Sequence, residues 1–128
     1  NEAIVEAAKL LRRACVERNA LVIAAADLAH VGPAFGDPVP IDMAGRTKLF
    51  DEDSKSIAAI CRGDSDEFLR RSRLESDARR ICGLSPIYMA LLTLGGGCGE
   101  SIAYAQCPAD EDGSSLVSIF GALIYEDG

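Results

Sequence analysis

Apolar residues recur every three to four positions at the start of the chain, with charged residues between them. This spacing places the apolar side chains on one face of a helix. The positions that define the face are Ile4, Ala8, Leu11 and Cys15. We therefore predict an amphipathic helix over residues 2–18.

A different pattern follows, because every residue from 21 to 26 is apolar. A short run without alternation is typical of a strand covered on both faces, as in the parallel sheet of an α/β domain. Residues 30–42 then contain two glycines and three prolines, which neither a strand nor a helix tolerates. We predict a loop there, at the carboxyl end of the strand.

Two helices are predicted in the middle of the chain. Apolar residues in 48–62 recur with helical spacing, and Gly63 follows as a stop signal. Asp64 and Glu67 have the spacing of a capping box, which predicts that a short helix begins there and runs through Phe68 and Leu69.

A third helix of this part is predicted over residues 86–94, because Ser85 and Pro86 are a favoured N-cap and first-turn pair. The glycines at 95–97 follow this helix instead of preceding one. That order favours a helix C-cap over a phosphate-binding loop.

Two strands, 100–107 and 115–125, flank an acidic turn and predict a C-terminal hairpin. The fold class is therefore α/β, with a partial mixed sheet made of one buried strand plus this hairpin and with helices flanking it. Residues 1–128 are long enough for one small domain.

The charge and hydropathy of the chain argue against several classes of function. The chain has 20 acidic and 13 basic residues and a net charge of -7, which argues against binding to nucleic acid or to an anionic membrane. No apolar stretch approaches the length of a membrane span, and the acidic start does not resemble a signal peptide. We expect a cytoplasmic protein.

The five cysteines are an odd number and include no C-x-x-C pair, so neither a disulfide framework nor a structural zinc site is predicted. Four of them are interpreted as small apolar residues or incidental thiols. These are Cys15, Cys61, Cys98 and Cys107.

Asp27 and His30 are the first candidates for chemistry, because ligand sites in α/β sheets form beyond the carboxyl ends of strands. His30, the one histidine of the chain, has the side chain best suited to transfer a proton near neutral pH or to bind a transition metal. Asp27 would fix its tautomer through a hydrogen bond. The alternative is a loop histidine bonded to backbone.

Cys82 is the second candidate, because it lies just before a predicted helix N-terminus, where the helix dipole favours a thiolate. The alternative is a buried thiol that packs on its apolar neighbours. Catalytic metals usually have three protein ligands, so His30 and Cys82 together would form an incomplete site.

Three stretches of the sequence together resemble the C-terminal half of the Memo family. They are AADLAHVGPAFGDP at 25–38, DARRICGLSPIYMALLTL at 77–94 and SSLVSIFGALIY at 114–125. The resemblance covers nearly the whole chain and is greatest to the bacterial and archaeal Memo-like proteins called AmmeMemoRadiSam system protein B.

This resemblance implies a fold related to class III extradiol dioxygenases, which bind non-haem iron through two histidines and a carboxylate and use a further histidine as acid/base. Memo proteins have a cysteine in place of the carboxylate. Cys82 corresponds to that cysteine as a metal ligand, and His30 corresponds to the acid/base histidine. The other pocket histidines belong to the N-terminal half of the family.

We therefore expect the chain to be the C-terminal fragment of a longer Memo-like protein. Iron or copper is expected in the full-length protein, and the fragment alone is expected to hold neither and to be inactive. An uncovered sheet predicts self-association or association with the N-terminal half.

Two functions follow from the resemblance and the residues. The first is a metal-dependent, dioxygenase-like oxidoreductase acting on a small molecule. The second is a non-enzymatic module that binds a phosphopeptide or small anion, with Arg79 and Arg80 as contacts, although such a pair is often only a solvated face. A cysteine hydrolase with Cys82 as nucleophile is the third alternative.

Overall fold

The computed structural model describes residues 2–126. In chain order its elements are helix α1 (Glu2–Arg18), strand β1 (His30–Val31), a 3₁₀ turn (Pro33–Phe35), helices α2 (Met43–Cys61), α3 (Ser65–Leu74) and α4 (Leu84–Leu94), and strands β2 (Cys98–Pro108) and β3 (Leu116–Tyr125). The strands form an antiparallel sheet in the order β1-β3-β2. Four helices and this sheet make an α/β fold, which confirms the predicted class.

The C-terminal hairpin has the predicted arrangement, since β2 and β3 pair from Cys98 opposite Tyr125 to Pro108 opposite Leu116. The predicted mixed sheet is corrected, because every strand pair among the described residues is antiparallel. The parallel component was expected from residues 21–26, which form no strand in the structure.

The segment 21–26 is the largest difference between prediction and structure. It lies in neither a helix nor a strand, and Leu21 and Ile23 are 84% and 76% exposed. Among residues 2–126, no backbone hydrogen bond joins this segment to the sheet. An apolar run indicates that a segment is suited to burial but does not supply the neighbouring strand that would bury it.

Residues 28–31 follow this segment and are well anchored. Leu28 and Ala29 are both fully buried, in two different apolar clusters. The N–H of Leu28 donates to the carbonyl of Ser118 at 2.9 Å, and the N–H of Ser118 donates to the carbonyl of Ala29 at 2.9 Å. His30 is therefore the first residue of β1, whereas the sequence predicted that it followed the end of a strand.

Helix α2 begins at Met43, five residues before the predicted start at 48. The carboxylate of Asp42 accepts a hydrogen bond from the N–H of Gly45 at 2.7 Å and so caps the helix. Helix α3 begins as predicted, because Asp64 accepts from the N–H of Glu67 at 2.9 Å. It continues beyond the predicted Leu69 to Leu74.

Helix α4 begins at Leu84, so the predicted Ser85–Pro86 cap is wrong by two residues. Gly83 is the N-cap, and Pro86 lies within the first turn, where its missing N–H costs nothing. The C-cap was predicted correctly, since Gly95 has the left-handed conformation (φ 74°) and its N–H donates to the carbonyl of Leu91.

The main apolar core joins α2, α3 and α4 to the residues before β1 and around Ile81. Its buried members are Leu28, Ile57, Ala59, Ile60, Phe68, Ile81, Ile87 and Leu91. Helix α1 packs against α4 and buries only Ala8 of the residues that the structure describes in it. Among the described helices, none has the length and apolarity needed to cross a membrane.

Candidate functional site

Asp27, His30 and Cys82 come together in space. One donor atom from each residue, a carboxylate oxygen, a ring nitrogen and a sulfur, lies within 4.8 Å of the other two. The distance from Nε2 of His30 to Oδ2 of Asp27 is 3.9 Å. The structure thus brings Cys82 to the two candidates that lie more than fifty residues before it in the chain.

Backbone contacts align the two segments that carry these side chains. The N–H of Gly83 donates to the carbonyl of Asp27 at 3.0 Å, and Sγ of Cys82 lies 3.6 Å from the same oxygen. A Cβ at position 83 would lie 2.4 Å from that carbonyl oxygen. The φ of Gly83 is -73°, which any residue can adopt, so the backbone conformation does not require glycine. Glycine is required because the two main chains approach too closely for a Cβ.

The His30 ring is held by backbone carbonyls at one of its two nitrogens. Nδ1 lies 3.3 Å from the carbonyl oxygen of Leu28 and 3.2 Å from that of Arg80. Carbonyl oxygens only accept hydrogen bonds, so Nδ1 carries a proton, and in the neutral form of the ring Nε2 has the lone pair. This lone pair is on the nitrogen that faces Asp27.

The predicted role of Asp27 is corrected by this arrangement. Its carboxylate lies 3.9 Å from Nε2, which is beyond hydrogen-bond distance, and the carbonyls of Leu28 and Arg80 orient the ring instead. The alternative considered in the sequence analysis, a histidine bonded to backbone, is therefore correct for Nδ1. Nε2 makes no such bond within residues 2–126 and is available to a ligand. Asp27 is a neighbour of Nε2 and a third potential metal ligand.

Phe35 and Asp37 were not predicted as site residues, although both lie in the stretch at 25–38. The ring of Phe35 contacts His30 edge-on, with the centroids 5.0 Å apart. Asp37 accepts a hydrogen bond from the N–H of Gly32 at 2.7 Å, which closes the loop after β1. Gly32 has φ 105°, and a Cβ there would lie 2.5 Å from Cα of Ser115.

Arg80 pairs with this loop. Its guanidinium lies 2.7 Å from Oδ1 of Asp37 and donates to the carbonyl of His30 at 3.3 Å. The hydrogen bond from Arg80, followed by that from the N–H of Gly32, holds the pKa of Asp37 below its ordinary value. The Arg80 side chain remains 37% exposed beside the site.

Arg79 is placed differently from its neighbour, and the expectation that it contacts a ligand is corrected. The residue is 6% exposed, and its guanidinium lies 2.6 Å from Asp53 and 2.7 Å from Glu75. It also donates to Oγ of Ser56 at 2.9 Å. Burial lowers the pKa of Arg79, but the hydrogen bonds with Glu75 and Asp53 outweigh that effect and raise it.

Cys82 is exposed, which corrects the alternative of a buried thiol. It lies one residue before Gly83, the N-cap of α4, close to the predicted position at a helix N-terminus. Cys61 is partly buried, and burial raises the pKa of its thiol and so disfavours the reactive thiolate.

A comparison with protein families decides the affiliation of the chain. A family model described as Memo-like protein matches residues 1–123 of the 128. The chain belongs to the Memo-like family. The predicted membership of the Memo family is thereby confirmed, whereas no curated protein matches the chain.

In this Memo-like chain, the two most specific stretches of the resemblance build the site. The stretch 25–38 contributes Asp27 and His30, and the stretch 77–94 contributes Cys82 and the carbonyl of Arg80. The third stretch, 114–125, supplies Ser115, whose hydroxyl accepts from the N–H of Ala34 at 2.9 Å and supports the loop after β1.

A large cavity of about 870 Å³ lies next to the site but does not contain it. The exposed segment 21–26, the end of β3 and one side of α4 line it, and neither His30 nor Cys82 is among the lining residues. Ala26, which lines the cavity, directly precedes Asp27. The cavity and the three-residue cluster are thus adjacent along the chain but share no lining residue.

Proposed function

We propose that this Memo-like chain contributes metal ligands to an oxidoreductase site, with Cys82, His30 and Asp27 as the donors. The observation that carries the proposal is their convergence within 4.8 Å. Three protein ligands are the usual number in a catalytic metal site, which leaves a position for water or substrate. Asp27 thereby joins the two ligands expected from the sequence. With three donors together, the proposal replaces the sequence-based expectation that the chain alone holds no metal.

The types of donor atom suit an ion of the first transition series. Bonds of about 2.0–2.3 Å in a tetrahedral site place ligand atoms roughly 3.3–3.8 Å apart. The 3.9 Å between Nε2 of His30 and Oδ2 of Asp27 is close to that spacing. Thiolate and imidazole donors suit copper and iron, the two ions implied by the resemblance. When bound, such an ion would supply Lewis-acid and redox chemistry.

Two roles are proposed for His30, metal ligand and acid/base, and both would use the same ring nitrogen. Nδ1 faces the carbonyls of Leu28 and Arg80, so Nε2 alone is free to bind a metal or to exchange a proton. It cannot do both at once. The resemblance assigns His30 to acid/base chemistry, and the cluster geometry supports a ligand role.

Metal titration of the purified chain tests the proposal. We expect one equivalent of Cu²⁺ or Fe²⁺ to bind, with a thiolate-to-metal charge-transfer absorption in the copper form. Cys82→Ser should abolish that absorption. Cys98→Ser is the matched control, because Cys98 is also exposed but lies outside the cluster. Absence of stoichiometric binding, or an absorption that survives Cys82→Ser, would refute the assignment.

The role of His30 can be separated in the same titration. If His30→Ala abolishes stoichiometric binding, His30 is a ligand. If the variant binds metal like the wild type, but oxygen uptake by the full-length protein is lost, His30 acts in proton transfer. Substrate screening on the full-length protein follows only where metal is bound.

The alternative function is a module that binds a phosphopeptide or a small anion. The partly exposed guanidinium of Arg80, which lies beside the cluster and donates to the carbonyl of His30, favours it. Arg80→Ala should then abolish binding of a phosphotyrosine peptide, whereas Arg70→Ala, which removes an exposed guanidinium on α3, should not. Equal binding by both variants would exclude the site from anion recognition.

The resemblance alone supports a wider proposal. The chain would act within a cytoplasmic protein of the AmmeMemoRadiSam system protein B type, with further pocket histidines supplied by an N-terminal half. Metal analysis of that full-length protein, compared with the chain studied alone, tests whether the extra histidines raise the affinity.

A further inference from the structure

The segment that connects α3 and α4 has an unusual backbone. Three residues in it other than glycine have positive φ, namely Ser76 (52°), Asp77 (59°) and Arg80 (46°). Such conformations are sterically disfavoured and persist only where surrounding contacts hold them. The same segment carries Cys82 and the carbonyl that faces Nδ1 of His30.

Arg79, in the middle of the segment, adds side-chain contacts to the backbone hydrogen bonds of Ser76, Asp77 and Arg80. Its guanidinium is almost completely buried, between a fully buried Asp53 of α2 and Glu75 at the end of α3. The other carboxylate oxygen of Asp53 accepts a hydrogen bond from the hydroxyl of Tyr104 at 2.8 Å. The segment is thereby tied through one side chain to α2 and to strand β2.

The backbone around Arg79 leads directly to His30. The carbonyl of Arg79 accepts the N–H of His30 at 2.7 Å, and the carbonyl of Arg80 lies 3.2 Å from Nδ1. These two consecutive carbonyls fix both the main chain and the ring of His30. A shift of the main chain at Arg79 would therefore move both of them.

We propose that Arg79 is a positioning residue of the site: its buried ion pair with Asp53 holds the carbonyl that keeps the proton of His30 on Nδ1 and leaves Nε2 free toward Asp27 and Cys82. The importance of this role rests on the proposed function. The orientation itself requires no metal, since every contact in it is between atoms of the chain.

The chain offers a direct readout, because His30 is its one histidine. Nitrogen-15 NMR of the imidazole in metal-free protein, at a pH where the ring is neutral, reports which nitrogen carries the proton. In the wild type we expect Nδ1–H to dominate. In Asp53→Asn, the ratio of Nδ1–H to Nε2–H should fall by about tenfold, the factor that loss of one hydrogen bond gives.

Two controls separate positioning from general destabilisation. Leu91→Ala removes a buried side chain of the same core without touching the ion pair, and should leave the tautomer ratio unchanged. Ser56→Ala removes one hydrogen bond of the guanidinium and keeps both of its ion pairs. It should shift the ratio in the same direction by a smaller amount, and it carries the test if Asp53→Asn does not fold.

An unchanged ratio in the folded ion-pair variants, or an equal change in Leu91→Ala, would overturn the inference. Failure of the proposed function would look different. A wild type that binds no metal but whose tautomer responds to Asp53→Asn leaves the positioning role standing and removes the metal site. If the wild type binds metal but its tautomer ratio does not respond to Asp53→Asn or Ser56→Ala, the metal site stands and the positioning role is removed.

Discussion

The backbone of Gly83 meets that of Asp27 so closely that the N–H of Gly83 donates to the Asp27 carbonyl at 3.0 Å, and a Cβ on Gly83 would lie 2.4 Å from that oxygen. This contact brings Cys82 to His30. Because the obstructing atom belongs to the main chain, it cannot move aside as the end of a flexible side chain would.

Gly83→Ala is therefore expected to lower the free energy of unfolding by roughly 2–3 kcal/mol, the range of an overpacked site, and to weaken metal binding by separating Cys82 from Asp27. Urea denaturation measures the first effect. Gly121→Ala is the control, since a Cβ at that exposed strand position would have no neighbour within 4 Å. Equal stability of the two variants would show that the close contact is unimportant.

Gly32 and Gly36 form a second matched pair, in the loop after β1. Both have positive φ, 105° and 94°, but a Cβ at Gly32 would lie 2.5 Å from Cα of Ser115 and one at Gly36 would have no neighbour within 4 Å. Gly36→Ala should cost about 1 kcal/mol for its backbone conformation. Gly32→Ala should cost roughly 2 kcal/mol more, because the main chain of Ser115 must move.

Chemical denaturation of both variants provides the comparison. If Gly36→Ala proves as destabilising as Gly32→Ala, then backbone conformation alone accounts for the loss, and the contact of the loop with β3 does not matter. Metal binding by Gly36→Ala should stay at the wild-type level, since the contacts of His30 are not affected.

The local elements were the most predictable part of the fold. Asp64 and Glu67 mark the start of α3 in the sequence, and the structure has that cap. The start of α2 was missed because Asp42 follows a proline-rich loop, which hides the beginning of the helical pattern. Local patterns identify caps reliably only where the flanking residues do not obscure them.

The site was only partly predictable for a different reason. His30 and Cys82 were found from the motifs, but the inward orientation of Arg79 depends on Asp53 and Ser56, which lie 26 and 23 residues away on α2. Sequence spacing does not reveal a contact of that separation. For the same reason adjacent Arg79 and Arg80 appeared equivalent, although one is buried and the other pairs with Asp37 at the surface.

The ion pair of Arg80 with Asp37 predicts how stability depends on pH. Hydrogen bonds from Arg80 and from the N–H of Gly32 lower the pKa of Asp37 in the folded state. A lowered folded-state pKa contributes stability above the unfolded-state value of about 3.9, and that contribution is lost as pH falls through the folded-state pKa. The loop after β1 should therefore weaken in acid.

Comparing the wild type with Asp37→Asn across pH tests this. The wild type should be the more stable near neutral pH, and the difference should shrink below about pH 4 as Asp37 takes up its proton. The same comparison in an Arg80→Gln background is the control, because removing the guanidinium that pairs with Asp37 should reduce the pH-dependent difference. A difference that is constant with pH would exclude the ionised carboxylate as its source.

The exposed segment 21–26 predicts that a second copy covers it. Leu21 and Ile23 are mostly exposed, and beyond Ser118 the edge of β3 toward β1 has no paired strand among the described residues. An apolar run and an open sheet edge that line one cavity are together a template for association. Burying one such side chain contributes about 1.5–3 kcal/mol, which is at least about tenfold in a dissociation constant.

Sedimentation equilibrium should therefore detect concentration-dependent self-association of the chain, and Ile23→Asp should weaken it by at least about tenfold, because a carboxylate would have to be desolvated at the contact. Leu74→Asp is the matched control, since Leu74 is 70% exposed but lies at the end of α3, away from this cavity. Equal weakening by both substitutions would indicate general adhesion of apolar residues, and a monomeric wild type would refute the proposal outright. Only selective loss in Ile23→Asp identifies the segment that the sequence pattern predicted to be buried.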